Sequence, residues 1–327
     1  MGDLLLQVED LQVVFPTPRG NVHAVWGVNF EVEKGHIYGI VGESGCGKSA
    51  TGRAILKLVP PPGRITGGRI KFQGEDLLQK SDAEMGKVRG RRIAMVFQDP
   101  AAALNPLFTI GQQLSMIMKC HQVAPALEIR PRAVHLLGDL GLPFPENIFD
   151  SYPHRLSGGM QQRAMIAMAL CAEPDLIIAD EPTSALDVTI QAQILDLLVS
   201  LRENRKVTII LITHDLGVVA ETCDEVAVFY LGRIVEQGRV KDLFHDAKHP
   251  YTRGLLEALP NPEQLGHELL VIPGSIPANL EPLSGCPFEP RCLGHLDICK
   301  SAHPPVISFN DTHSTACYLY ATKKEQR

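Results

Sequence analysis

The run Ile37-Tyr38-Gly39-Ile40-Val41-Gly42-Glu43-Ser44-Gly45-Cys46-Gly47-Lys48-Ser49 decides the fold. Ile37–Val41 is an apolar stretch and predicts a buried strand. Gly42–Ser49 fits the pattern G-x-x-x-x-G-K-[ST], and Ala50 to Leu58 predicts a helix that ends at Pro60. Strand, glycine-rich loop and helix in this order read as a phosphate-binding loop. Its glycines let the backbone curl, so that N–H groups along Gly42, Ser44, Gly45, Cys46, Gly47, Lys48, Ser49 and Ala50 face an anion. Lys48 is placed to reach the β- and γ-phosphates of a nucleoside triphosphate, and the Ser49 hydroxyl to ligate Mg²⁺.

Outward from the loop, residues 4–15 and 27–33 alternate apolar and polar positions and predict half-buried antiparallel strands. Ile93–Phe97, Leu176–Ala179, Val207–Ile212 and Val226–Tyr230 repeat the apolar pattern of Ile37–Val41, with helices between. That arrangement predicts an α/β fold with a parallel sheet covered on both faces. After Asp187, the positions Ile190, Ile194, Leu197, Leu198 and Leu201 share one helix face. About 75 residues before Leu176 show helical periodicity broken by prolines and read as a helical insertion, about 99–172. From about residue 246, proline and glycine crowd in and periodicity stops. The expected division is therefore 1–245 for the nucleotide-binding domain and 246–327 for an irregular, cysteine-rich extension.

The chain has 327 residues, 45% hydrophobic and 21% charged, enough to bury a core without staples. Its 31 basic and 37 acidic residues leave a net charge of −6, which argues against nucleic acid as a partner. No uncharged stretch approaches the roughly 18 apolar residues of a membrane span. Met1-Gly2-Asp3-Leu4 lacks the basic start of a secretory signal, so a cytosolic protein is expected, with any membrane role reached through a partner.

Two further segments carry chemistry. Leu176-Ile177-Ile178-Ala179-Asp180-Glu181 is an apolar strand ending in two carboxylates, at the sheet end where ligands bind. Asp180 suits Mg²⁺, and Glu181 suits the attacking water. In Leu156-Ser157-Gly158-Gly159-Met160-Gln161-Gln162-Arg163, Ser157 can cap a helix whose apolar stripe is Met160, Ala164, Ala167 and Cys171. Bare N–H groups at Gly158 and Gly159 make a second anion site.

The segment LSGGMQQR resembles the signature sequence of ATP-binding-cassette (ABC) ATPases, and the family's other motifs follow in order. Gln98 resembles the Q-loop glutamine, Ser184-Ala185-Leu186-Asp187 the D-loop, and His214 the switch histidine. Phe15, 27 residues before Gly42, resembles the aromatic that stacks on adenine. The resemblance implies a P-loop NTPase cassette with a RecA-like core, an antiparallel β subdomain and a helical insertion. It implies ATP held between the phosphate loop of one chain and Ser157-Gly158-Gly159 of another. Glu181 and His214 would act in hydrolysis, while Gln98 would touch Mg²⁺ and link the γ-phosphate to a neighbouring subunit.

The tail segments His249-Pro250-Tyr251-Thr252, Pro273-Gly274-Ser275-Ile276-Pro277 and Gly285-Cys286-Pro287-Phe288-Glu289-Pro290-Arg291-Cys292 resemble dipeptide/oligopeptide-permease ATPases. The implied partners are a second cassette subunit, identical or related, two transmembrane permease subunits and, indirectly, an extracytoplasmic solute-binding protein. The implied place is the cytoplasmic face of the inner membrane. Import of another solute, such as a nickel chelate, is the alternative within this group. A soluble, non-transport ABC ATPase fits less well: only 108 residues separate Ser49 from Ser157, with no heptads, and each motif occurs once.

Cys286, Cys292, Cys299 and Cys317 stand in 32 residues with spacing C-x5-C-x6-C-x17-C. Ligand-free thiols, a Cys₄ zinc site and a [4Fe–4S] cluster compete. The absence of a C-x₂₋₄-C pair weighs against zinc, and the resemblance, some of whose members carry a four-iron cluster here, favours the cluster. His295, His303 and His313 keep the zinc alternative open as substitute ligands.

Overall fold

A computed structural model describes residues 3–184, 187–259, 272–274 and 284–321. Ala185 and Leu186 of the expected D-loop, and Ser275-Ile276-Pro277 of the tail, lie outside the described residues. The strands are β1 Leu4–Thr17, β2 Gly20–Glu33, β3 Ile37–Val41, β4 Arg64–Phe72, β5 Glu75–Asp76, β6 Ile93–Val96, β7 Leu176–Asp180, β8 Thr208–Thr213, β9 Glu225–Tyr230, β10 Arg233–Arg239, β11 Val306–Ser308 and β12 Ser314–Ala316. The α-helices are α1 Lys48–Ile55, α2 Asp82–Val88, α3 Pro100–Ala103, α4 Ile110–Cys120, α5 Ala126–Asp139, α6 Pro145–Phe149, α7 Gly158–Leu170, α8 Val188–Arg205, α9 Leu216–Thr222, α10 Val240–His245 and α11 Pro250–Glu257. Two compact units result: Met1–Glu33 with Tyr38–Leu78 and Thr213–Arg327, and Lys34–Ile37 with Gln79–Ile212.

In the first unit β2, β1, β4 and β5 form an antiparallel sheet in that order. β1 and β2 run further than the alternation predicted, because Thr17 and Gly20 close a tight hairpin in which the Thr17 hydroxyl donates to the Gly20 carbonyl at 2.7 Å. Pro16 is tolerated because it lies beyond Val14, the last β1 residue paired to β4, so only one side of the strand needs a ladder. Beside this sheet's strands in the sequence, β11, β12, β10, β9 and β3 lie in order, with β3 and β9 parallel in register from Tyr38↔Glu225 to Val41↔Val228. All five β3 residues are buried, as its unbroken apolar run requires.

The tail is less irregular than its composition suggests. β11 and β12 form a hairpin that adds to β10, Glu236 opposite Thr315. Part of the segment joins the core of the sheet. Tyr251 and Phe288 are buried in one cluster with Val41, Val226, Val228 and Tyr230. The apolar face of the sheet completes this part of the tail, while Cys299, Tyr318 and Ala321 pack in a cluster of their own.

In the second unit β6, β7 and β8 are parallel, Ile93 opposite Leu176 and Leu176 opposite Thr208. Between β6 and β7 the chain forms α3 to α7, and α5 runs through Pro131. α7 departs from a single apolar stripe. Ala164, Met165, Ile166, Ala167, Ala169 and Leu170 are all buried, so the helix is enclosed on nearly every side. In α8, Ile194, Leu195, Leu198 and Leu201 are buried while Ile190 and Leu197 are half-buried, turning the expected face slightly.

Candidate active site

In the first unit the loop after β3 has the geometry its glycines predict. Gly42, Gly45 and Gly47 have φ of 152°, 82° and 105°. A Cβ on Gly42 would lie 2.3 Å from the Phe229 carbonyl oxygen, and one on Gly47 2.1 Å from that of Ala24. Glycine is therefore required there by both dihedral and space. The Lys48 side chain is buried, and its ammonium donates to the carbonyls of Gly42 at 2.6 Å and Glu43 at 3.1 Å. This folds the cation back over the curled loop. α1 begins at Lys48, earlier than the sequence indicated, so the loop amides and the helix start are continuous. Ser49 and Ala50 are half-buried in the first turn, and Ser44 and Gly45 are exposed. Burial raises the Cys46 thiol above its ordinary range, which leaves it an apolar filler rather than a nucleophile.

Phe15 is half-buried on β1, and a Cβ on Gly63 would come within 2.4 Å of its ring. One face of the phenyl group thus packs on bare backbone. His214 is exposed directly after β8, where Asp215 caps α9 through the N–H groups of Gly217 at 2.8 Å and Val218 at 3.3 Å.

In the second unit β7 ends in Asp180, buried at 1% exposure, followed by half-buried Glu181. Glu181 has φ of 46°, a conformation that a residue with a side chain adopts at a cost of about 1–3 kcal/mol. Its N–H donates to the Ile212 carbonyl at 2.9 Å, and its carboxylate accepts from Gln98 Nε2 at 2.9 Å. The Gln98–Glu181 bond joins two residues that sequence reasoning assigned separately. Ser157 caps α7, accepting from Met160 N–H at 3.4 Å, as expected. Ser157 and Gly158 are exposed, and Gly159 permits close approach of Ile190, which a Cβ would meet at 2.9 Å.

The four tail cysteines share one neighbourhood. Burial first, and then the other three thiols, push the Cys286 thiol up to about 12. Burial and its neighbours push Cys317 up to about 11, and Cys292 is raised for the same reasons. Their soft donor chemistry suits a thiophilic metal. The expected metal centre is nevertheless not formed as a ligand set: among the described residues no group of three or more His, Cys, Asp or Glu side chains is disposed to hold a metal ion. The physical reason is separate seating. Cys292 packs on the Phe288 cluster, Cys299 packs with Tyr318 and Ala321, and Cys286 borders both. Two of the three histidines considered as substitutes are engaged elsewhere. His313 meets the buried Glu236 carboxylate at 2.8 Å, and His303 meets Arg233 at 3.4 Å. His295 turns its Nδ1 to the Cys292 carbonyl.

Sequence reasoning missed Glu43, Tyr251 and Arg291 as neighbours of the loop. Glu43 N–H donates to the Tyr251 hydroxyl at 3.1 Å, and Arg291 pairs with the Glu43 carboxylate at 2.8 Å. Separations of 208 and 248 residues left no local signal to find them.

A curled glycine loop over a buried lysine, together with a strand that ends in paired carboxylates, defines a nucleotide-binding cassette. Residues 25–184 match the ABC transporter family, and residues 235–299 match the C-terminal region of oligopeptide/dipeptide transporters. The dipeptide transport ATP-binding protein DppD of Bacillus subtilis is 46% identical over 98% of this chain and 96% of its own length. The oligopeptide transport ATP-binding protein OppD of Salmonella typhimurium is 46% identical over 97% of this chain and 94% of its own. Among solved structures, a dimeric, post-hydrolysis ATP-binding cassette, MJ0796 bound to ADP and Pi, aligns with a TM-score of 0.65 at 28% identity, covering 72% of this chain and 99% of that one. The chain belongs to the ABC transporter family. Among the described residues no helix is long and apolar enough to cross a membrane.

Proposed function

We propose that this chain is the ATP-hydrolysing subunit that powers import of dipeptides or oligopeptides. It works with a second cassette and two permease subunits at the cytoplasmic face of the membrane, fed by an extracytoplasmic solute-binding protein. The observation that carries this reading is its likeness to dipeptide and oligopeptide transport ATP-binding proteins, which extends through the tail and covers 98% of this chain in DppD. The loop amides and Lys48 bind the β- and γ-phosphates of ATP. Ser49, Asp180 and Gln98 offer the oxygen donors that a hard cation prefers and would hold Mg²⁺, which neutralises phosphate charge when bound. Glu181 accepts the proton of the attacking water, its carboxylate oriented by Gln98. His214 acts beside the γ-phosphate, Phe15 meets the adenine, and Ser157-Gly158-Gly159 serve the nucleotide held by the partner chain. The test is uptake of a labelled dipeptide by proteoliposomes carrying the permease subunits, both cassettes and the binding protein. ATP-dependent uptake that Lys48→Ala abolishes supports the reading. Uptake of a nickel chelate but of no peptide would replace the substrate.

The tail thiols of Cys286, Cys292, Cys299 and Cys317 are assigned to an iron–sulfur cluster in preference to zinc. A spacing without C-x₂₋₄-C pairs supports this, as does the engagement of His303 and His313 elsewhere; the separately seated thiols would have to draw together around the cluster. Protein purified without oxygen should be brown, and Cys292→Ser should be colourless. Stoichiometric zinc without iron would overturn the assignment.

A further inference from the structure

Arg291 lies in the tail, one residue before Cys292, yet its side chain is only 5% exposed and reaches the phosphate loop. Its Nη1 donates to Glu43 Oε2 at 2.8 Å and its Nη2 to Glu43 Oε1 at 3.2 Å, a two-pronged pair. The guanidinium is itself fixed, with Nε donating to the Pro273 carbonyl at 2.8 Å. Its head lies over Tyr230, which packs edge-on against Tyr251 and Phe288. Glu43 is gripped at every polar group. Its carboxylate takes Arg291, its N–H donates to the Tyr251 hydroxyl, and its carbonyl accepts from the Lys48 ammonium.

Glu43 stands at a variable position of the loop pattern, so phosphate binding does not itself demand a carboxylate there. The pair gives the 5% exposed guanidinium its counter-charge, while the Glu43 side chain keeps 29% exposure. The pair also ties the first turn of the loop to a rigid aromatic cluster. A loop held in its binding shape before ligand arrives loses less conformational freedom on binding. The Lys48 carbonyl contacts move with Glu43, so the grip extends to the cation that meets the phosphates.

We infer that Arg291 is a positioning residue for the nucleotide site: through Glu43 it holds the phosphate loop in its binding conformation, so that ATP affinity depends on the intact tail. This rests on the reading of Gly42–Ser49 as the loop that binds ATP. The loop's order before ligand binds is thereby set from a segment outside the nucleotide-binding motifs.

The experiment uses the full chain and three variants: Glu43→Ala, Arg291→Met, which keeps the apolar stem, and the double variant. Hydrogen exchange of the loop amides is followed without nucleotide, and a fluorescent ATP analogue is titrated. Each single variant should speed exchange across residues 42–47 and weaken binding about fivefold, and the double variant should be no worse than the weaker single, as expected for two ends of one link. Glu43→Ala leaves the Arg291 bond to Pro273 in place, so it reads the loop even if Arg291→Met loosens the tail. Unchanged loop exchange in Glu43→Ala, or losses that add in the double variant, overturns the inference. Lys48→Ala separates the two readings. If it leaves affinity intact, the phosphate-loop reading fails; if it abolishes binding while Glu43→Ala changes nothing, only the role of Arg291 fails.

Discussion

Glu181 keeps a left-handed backbone that few non-glycine residues adopt, pinned by its N–H on the Ile212 carbonyl and its carboxylate on Gln98. Such strain is retained where the surroundings over-determine it, as at functional sites. Glu181→Gln preserves size and one hydrogen-bonding arm but removes the proposed base. ATP hydrolysis should fall by ~10²-fold or more while ATP affinity survives. Steady-state phosphate release and analogue titration on the same preparation check this; near-native hydrolysis would remove Glu181 from the water-activating role. At this scale the sequence was most legible where a residue's requirement is local. Gly42 and Gly47 announce themselves because dihedral and space both exclude a side chain. The Gln98–Glu181 contact was not legible, since 83 residues separate its ends and neither residue's neighbours encode it.

Among the elements, α11 is capped by an uncommon group. His249 is buried and its Nδ1 accepts from the Tyr251 N–H at 3.1 Å, so the ring must be neutral there. Burial lowers its pKa from an ordinary 6.5 to about 3. Below the ordinary value the unfolded chain takes up a proton that the folded chain refuses. Stability is therefore whole above pH 6.5, declines as pH falls and stops declining near pH 3. The slope from this one group is at most ~1.4 kcal/mol per pH unit. His249→Asn keeps a capping acceptor and removes the titration, so its Tm should change less between pH 7 and 5 than the parent's, by thermal melting. An equal slope would assign the acid sensitivity to other groups.

The segment from residue 99 to 113 combines helix caps with an exposed apolar side chain. The Asp99 carboxylate caps α3 through the N–H groups of Ala101 at 2.9 Å and Ala102 at 3.2 Å. Leu107 is exposed there at 78%, an apolar anchor for a permease subunit in the proposed transporter. Leu107→Asp should lower peptide uptake by the assembled transporter more than it lowers ATP affinity, measured in paired transport and binding assays. The enclosure of α7 escaped prediction because one stripe through Met160, Ala164, Ala167 and Cys171 was read, whereas Met165, Ile166, Ala169 and Leu170 are buried as well.

Over the whole molecule, the proposed function has Lys48 and Ser157 serve nucleotide from opposite sides of a pair of chains. Lys48→Ala should weaken ATP binding to the isolated chain. Ser157→Arg should leave that binding intact and block ATP-driven pairing, because the exposed Ser157 faces the partner's nucleotide in this reading. Size-exclusion chromatography with and without ATP, beside analogue titration, distinguishes them; equal loss of binding in both variants contradicts a two-chain site. The parallel strands were legible because apolar runs between helices admit few arrangements. The tail was not, because Phe288 and Tyr251 are buried against the strands of a distant part of the chain and no pattern within the tail shows it.

The Glu43–Arg291 pair also orders events in time. Its two ends are 248 residues apart. At a synthesis rate of ~5–20 residues per second, Arg291 leaves the ribosome on the order of tens of seconds after Glu43. A nascent chain can thus lay down its early strands long before the loop receives its last restraint. The nucleotide site is among the last parts of the chain to mature, and a chain that stops short of the tail would carry every nucleotide-binding motif and still leave the loop unfastened.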